Sequence, residues 1–154
     1  MSGTTDITFS EKDQHIIAVL AEMVIPKSKE YCIPGASDPK IVNNILEDAI
    51  RQPNQLFKAI EAVKTLTNER FDVGFSELDI NIQEEITILF RREYPQLSKQ
   101  FANLVAQGFY RDDRIMKSIE LEVRPPYPEG YEVEQGDWSL LNDVRRREPF
   151  YRHT

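Results

Sequence analysis

Hydrophobic residues recur every three to four positions through most of the first 120 residues, as in helices that bury one face. Capping residues and prolines mark where these helices begin. Ser10 and Asp13 have the spacing of a capping box, and Asp38 precedes a proline at the first helical position. We predict helices over 11 to 25, from Pro39, from Pro53 to about Glu69, from a cap at Ser76, from Pro95 to about Tyr110, and over 113 to 119.

No segment alternates β-branched and polar residues over the length of a strand. The sequence therefore predicts an all-α fold, a compact bundle of about five to six helices. The side chains expected on the buried faces are Ile16, Ile17, Leu20, Met23, Val24, Ile41, Val42, Ile45, Leu46, Ala49, Ile50, Leu56, Phe57, Ile60, Val63, Leu66, Ile82, Ile86, Leu89, Phe90, Phe101, Leu104, Val105 and Phe109.

The C-terminal region has a different pattern. Pro125, Pro126 and Pro128 lie within four residues, which excludes a helix interior and favours an extended, polyproline-like path. Tyr127, Tyr131 and Trp138 add large apolar rings with polar tips. We predict a single domain with a helical body over 10–120 and an extended strap over 121–154. The strap packs on the body's own helices, faces a partner protein, or does each along part of its length.

Composition narrows the function classes. The chain has 154 residues, 40% hydrophobic and 29% charged, which is typical of a soluble globular protein. A net charge of −7 argues against a nucleic-acid-binding surface. The short basic run at 145–147 is flanked by Asp143 and Glu148 and favours a solvated or salt-bridged helix face. No window has the roughly 20 apolar residues of a membrane span.

The single cysteine, Cys32, excludes an internal disulfide and is expected to be a half-buried structural thiol.

No catalytic motif is evident. The chain lacks a glycine-rich nucleotide loop, so we expect no cofactor in it. Glu11 and His15 are four residues apart and could share a metal, although an exposed pair on a helix surface is the simpler interpretation. The neighbouring carboxylates at 84–85 and 112–113 fit a helix surface and a helix start. These absences favour a subunit over an independent enzyme.

Several short motifs occur in an order that resembles a known family. They are Leu20 to Pro26 (LAEMVIP), Pro34-Gly35-Ala36 with Asp38, Phe75 to Leu78, Phe101, Phe109-Tyr110, Pro125-Pro126, Pro128, Gly130-Tyr131, Asp137-Trp138, Leu140-Leu141, Arg147 and Tyr151-Arg152. In this arrangement the chain resembles the gluconate 2-dehydrogenase subunit 3 family. These are small subunits of flavin-dependent sugar and alcohol dehydrogenases of the glucose-methanol-choline type.

The resemblance implies a non-catalytic accessory subunit that binds and stabilises a large catalytic flavoprotein. FAD would then be held by the partner, and a cytochrome c subunit often completes such assemblies. Many family members carry a twin-arginine export signal, which this sequence lacks at its start. We therefore expect a cytoplasmic location, with export alongside a signal-bearing partner as the alternative.

The residues expected to bind the partner are Tyr110, Pro125, Pro126, Tyr127, Pro128, Tyr131, Trp138, Arg147 and Arg152. The aromatic rings would be anchors and the two arginines would pair with carboxylates. Two alternatives come from other function classes. One is a stand-alone interaction module whose tail is a peptide-like ligand. The other is a small helical metal-dependent enzyme using Glu11, His15 and other carboxylates.

Overall fold

The computed structural model describes residues 9–50, 53–123, 130 and 136–147. These residues form seven α-helices: α1 (Glu11–Val24), α2 (Pro39–Ala49), α3 (Pro53–Asn68), α4 (Ile80–Glu93), α5 (Pro95–Tyr110), α6 (Asp113–Ser118) and α7 (Asn142–Arg145). Two short 3₁₀ helices span Phe75–Glu77 and Trp138–Leu141. Extended pairing within the described ranges is limited to one isolated bridge, between Ser28 and Ile33. The all-α prediction is confirmed.

The chain divides into two compact units, Met1–Val123 and Arg124–Thr154. Helices α1 to α6 belong to the first unit, and the second 3₁₀ helix and α7 to the second. Among the described helices, none is both long enough and apolar enough to cross a bilayer.

The core of the first unit forms where the apolar faces of α1 to α5 meet. Its fully buried members include Ile17, Ile41, Ile45, Leu56 and Val63, each with no exposed surface. The periodicity predicted most of this core, because positions three and four apart on a helix share a face. The described part of the core runs from Phe9 to Ile115.

Four residues that were predicted to be buried are exposed instead. Met23 and Val24 lie in the last turn of α1 and are 40% and 39% exposed. Ile50 follows the end of α2 and is 59% exposed. Phe57 is 37% exposed and stacks on Phe9, with ring centroids 4.8 Å apart. Helical spacing was correct at these positions, but the neighbouring helices do not cover them.

The start of α4 also differs from the prediction. Phe75–Glu77 form a separate 3₁₀ helix, so Ser76 is not the cap of α4. Leu78 is extended, with φ −77° and ψ 151°, and this interrupts the helical path. The cap is Asp79, whose side chain accepts a hydrogen bond of 2.9 Å from the backbone N–H of Asn81. At α1, by contrast, Ser10 and Asp13 form the predicted capping box.

The prediction for Cys32 was wrong, because its side chain is exposed. The residue lies near the tip of the loop between α1 and α2, where the Ser28–Ile33 bridge closes a tight reversal. Its φ is 53°, and its backbone N–H donates to the carbonyl of Lys29 at 3.3 Å. The geometry of the reversal turns the thiol away from the core.

Candidate partner-binding surface

The C-terminal unit contains a short helical segment that begins at Asp137. The Asp137 side chain accepts a hydrogen bond of 2.9 Å from the backbone N–H of Ser139 and so caps the 3₁₀ helix. Hydrogen bonds from the side chain and then the backbone of Ser139 lower the pKa of Asp137, because they stabilise the carboxylate. The 3₁₀ helix continues directly into α7 through Asn142. The sequence thus builds a local helical structure around Trp138 even though prolines precede it.

The apolar side chains of this segment are exposed. Trp138 is 63% exposed, Leu140 76%, Leu141 39% and Val144 55%. We call these four residues the tail apolar row. Trp138, Leu141 and Val144 are spaced three residues apart and Leu140 and Val144 four apart, so they recur at helical spacing. Exposed apolar side chains that recur in this way make the row a candidate surface for binding another protein.

The basic run beside the row is solvated, as predicted. Arg147 is exposed, and among the described residues Arg146 makes only a long ion pair of 3.8 Å with Asp143, both side chains being at least 80% exposed. Exposed pairs of this type contribute little to stability. Arg147 is therefore available to pair with an external carboxylate.

Tyr110 belongs to the first unit, where it ends α5. Its neighbour Phe109 is buried, with only 2% of its surface exposed, and the two rings meet edge to face with centroids 5.4 Å apart. Tyr110 itself is 52% exposed. The Tyr110 ring therefore packs on the core at one side, and the rest of the ring is accessible to a partner.

Six of the predicted partner-binding residues lie outside the described residues. They are Pro125, Pro126, Tyr127, Pro128, Tyr131 and Arg152. Their proposed contacts stay predictions. The extended strap predicted over 121–154 is not confirmed, because its described part is helical over Trp138–Leu141 and Asn142–Arg145.

A charged cluster that sequence reasoning missed joins the first turns of α2 and α6. Arg114 donates two hydrogen bonds to Asp38, of 2.7 and 3.2 Å. It donates two further side-chain bonds to Asp112, both of 2.9 Å. The Asp112 side chain is completely buried, and Lys40 lies 3.6 Å from its Oδ2. Asp38 and Asp112 are also the caps of the two helices, so one guanidinium ties both caps together.

This cluster determines how its carboxylates titrate. The hydrogen bonds from Arg114 lower the pKa of Asp112 to about 2, with a smaller contribution from the charge of Lys40. Arg114 also lowers the pKa of Asp38. In return, the two carboxylates raise the pKa of the guanidinium. All three groups stay charged at neutral pH, which fits a structural clamp and not a proton-transfer site.

A second cluster joins α2 to the end of α5. Arg111 pairs with Glu47 and Asp48, and its Nη2 donates to Asn44 Oδ1 at 3.3 Å. Asn44, which is 9% exposed, also donates to the backbone carbonyl of Gly108 at 3.1 Å. The pairs that join α2 to the end of α5 or to α6 are more than 60 residues apart in sequence, so no local pattern could have predicted them.

Glu11 and His15 were considered as metal ligands, but His15 contacts other groups. His15 Nε2 lies 3.2 Å from Gln83 Nε2, and its ring tilts against Phe75 with centroids 6.4 Å apart. Gln83 in turn donates to the carbonyl of Phe75 at 2.9 Å. Within the described ranges, no group of three or more His, Cys, Asp or Glu residues is placed to hold a metal ion. His15 therefore contacts α4 and the 3₁₀ helix before it.

Comparison with known proteins gave no relative: no family model, no curated protein and no solved structure matches this chain.

Proposed function

We propose that this chain is the non-catalytic small subunit of an FAD-dependent sugar or alcohol dehydrogenase of the glucose-methanol-choline type. It binds the large flavoprotein subunit and stabilises it, and the partner holds the FAD. The type of partner follows from the motif resemblance described under sequence analysis. The role as a binding subunit rests on the exposure of the tail apolar row.

The tail apolar row supports binding because its side chains are not buried within their own unit, so a partner can still bury them. A tryptophan can bury about 150–250 Å² when it docks, and Trp138 is 63% exposed here. Tryptophan, tyrosine and arginine are also the residues that most often carry the energy of protein interfaces. Trp138 would be the central anchor, with Arg147 pairing with a carboxylate at the rim.

The proline-rich stretch before the row would strengthen such an interface. Prolines restrict the backbone before binding, so less conformational entropy is lost when the segment docks. Pro125, Pro126 and Pro128 would give this benefit to the segment that carries Tyr127 and Tyr131. Tyr110 on the first unit would be a separate contact with the larger chain.

The direct test is purification of the tagged full chain from its native host. We expect a yellow flavoprotein of several times its mass to co-purify. Expression of that flavoprotein without this chain should lower its yield, its flavin content and its dehydrogenase activity. Equal yield, flavin content and activity with and without this chain would contradict the proposal.

Point variants locate the contact. Trp138→Ala should weaken association by about 30-fold or more, as expected for an anchor residue. Tyr31→Ala is the matched control, because Tyr31 is also aromatic and also 63% exposed but lies in the loop after α1. Equal effects of the two variants would exclude Trp138 as an anchor.

The same purification decides the second candidate, a stand-alone interaction module. The tail apolar row is equally suited to a partner that is not a flavoprotein. Specific, Trp138-dependent recovery of a protein without flavin would favour that function over the first.

A further inference from the structure

A groove in the first unit lies between the last turn of α1, the middle of α4 and the first half of α5. Its walls include Leu20, Met23, Val24, Ile88 and Ser98, and its cavity volume is about 80 Å³. The two phenylalanines at its base, Phe90 and Phe101, are each only 2% exposed. The core therefore provides a fixed base for an open groove.

The walls of the groove are apolar and incompletely covered. Met23 is 40% exposed, Val24 39% and Ile88 52%. The spacing of Met23 and Val24 predicted that both are buried, but both are exposed and line this groove. Methionine adapts its shape to different neighbours and is common on surfaces that bind helices.

One charged side chain lines the groove. Arg91 is exposed and forms no hydrogen bond or ion pair with any residue in the described ranges. The next residue, Arg92, has a partner, because its Nη2 donates to Glu93 at 3.3 Å. An arginine beside apolar walls matches a ligand that carries a carboxylate next to apolar side chains.

The form of the groove restricts how a protein segment could bind. Addition of a strand requires an exposed sheet edge, and the described residues contain no strand. Polyproline recognition requires exposed aromatic side chains, whereas Phe90 and Phe101 are buried. Among the modes that bury apolar side chains of the ligand, this leaves an amphipathic helix laid into an apolar groove.

We propose that this groove binds an amphipathic helix of a partner protein that carries an acidic residue at the edge of its apolar face, paired with Arg91. The inference rests on the proposed function only in requiring that this chain binds a larger protein. It holds whether or not that protein contains flavin.

The test places a photo-activated cross-linking amino acid at position 88 of the full chain, produced in its native host. Position 80 is the matched control, because Ile80 is also an isoleucine of α4 and is 56% exposed but does not line the groove. We expect a cross-link at 88 and not at 80, mapped by mass spectrometry to an amphipathic helix with a carboxylate. If that helix belongs to a protein without flavin, the groove proposal holds, and the proposed function is decided separately by whether the flavoprotein co-purifies with this chain.

Each of the following cross-linking results would overturn the groove proposal. They are a cross-link to a second copy of this chain, a cross-link to residues 124–154 of the same chain, and equal or absent cross-linking at positions 88 and 80. Mapping to a segment that is not helical or has no acidic residue would also reject it.

Charge reversal gives an independent measurement on the mapped complex. Arg91→Glu should weaken binding by about tenfold or more, because it replaces an attraction with a repulsion. Arg92→Glu makes the same charge change one residue away and should have a much smaller effect. Replacing the partner's acidic residue with lysine should restore binding to Arg91→Glu. Failure of this rescue would reject the pairing with Arg91.

Discussion

Gly108 allows α2 and α5 to pack closely at the centre of the first unit. A Cβ at this position would lie 2.6 Å from Ile45 Cγ1 and 2.9 Å from the backbone nitrogen of Ile45. Both distances are shorter than real carbon contacts, and the backbone cannot move aside as a flexible side chain can. The carbonyl of Gly108 also accepts the hydrogen bond from Asn44, so the contact is both steric and polar.

Replacing this glycine should therefore destabilise the protein. Gly108→Ala is expected to lower the free energy of unfolding by about 1–3 kcal/mol, the usual range for overpacking a core. Gly74→Ala is the control, since a Cβ there would meet only Glu77 Oε1, at 3.5 Å. Urea unfolding followed by circular dichroism measures both. If the two variants are equally stable, the helices separate more easily than the geometry indicates.

Asp112 should make stability depend on pH in acid. Its pKa is about 2 in the folded chain, against an ordinary value of 3.8. Because folding lowers the pKa, the carboxylate contributes its stabilisation at pH above about 4 and loses it as the pH falls towards 2. The amount is roughly 2 kcal/mol. The free energy of unfolding measured between pH 5 and pH 2 should therefore fall, and Asp112→Asn should make that fall shallower.

Asp113→Asn is the control for this titration. Asp113 is in the first turn of the same helix but is exposed, and its side chain makes no ion pair with a described residue. This variant removes a carboxylate from the same helix end but leaves the pair of Arg114 with Asp112 intact, so its slope should match that of the unchanged chain. An equally shallow slope in both variants would assign the effect to the helix terminus and not to Arg114.

At the scale of single elements, the cap of α4 can be tested against the sequence-based alternative. Asp79→Ala should lower the free energy of unfolding by about 1 kcal/mol, because it removes the bond to the N–H of Asn81. Ser76→Ala should have little effect, since the hydroxyl of Ser76 makes no hydrogen bond to a described residue and Ser76 lies in the separate 3₁₀ helix. A larger effect at Ser76 than at Asp79 would contradict the assigned start of α4.

The elements that the sequence predicted correctly share a local physical cause. Pro39 and Pro95 each begin a helix, and Ser10 with Asp13 caps α1, because caps and prolines act within a few residues. The start of α4 was misplaced because Ser76 and Asp79 are both good caps within three residues. Only the extended backbone at Leu78 decides between them.

The candidate sites depended on longer-range information. Helical spacing placed Met23 and Val24 on an apolar face, but whether another helix covers that face depends on packing between elements. The clamp between Arg114 and Asp38 joins residues 76 apart in sequence, so it could not be predicted from neighbours. Trp138 was identified as an anchor from its residue type alone, and its exposure is consistent with that interpretation.

At the scale of the whole molecule, the two units differ in whether their described residues form a buried hydrophobic core. The buried hydrophobic residues in the described part of the chain extend from Phe9 to Ile115, all within the first unit. The described residues of 136–147 are exposed throughout. A helical body with its own core carries the fold, while the C-terminal unit carries exposed apolar side chains suited to binding.

Ending the chain at Val123 should therefore separate folding from binding. We expect the midpoint of thermal unfolding to change by less than about 3 °C, because the described core is retained. Association with the co-purifying partner should fall at least as far as it does in the full-length Trp138→Ala variant, which is the control for an intact backbone. Scanning calorimetry and a binding titration measure the two effects. A truncated chain that binds as tightly as the full chain would remove the C-terminal unit from the interface, and one that fails to fold would show that residues after Val123 contribute to the core.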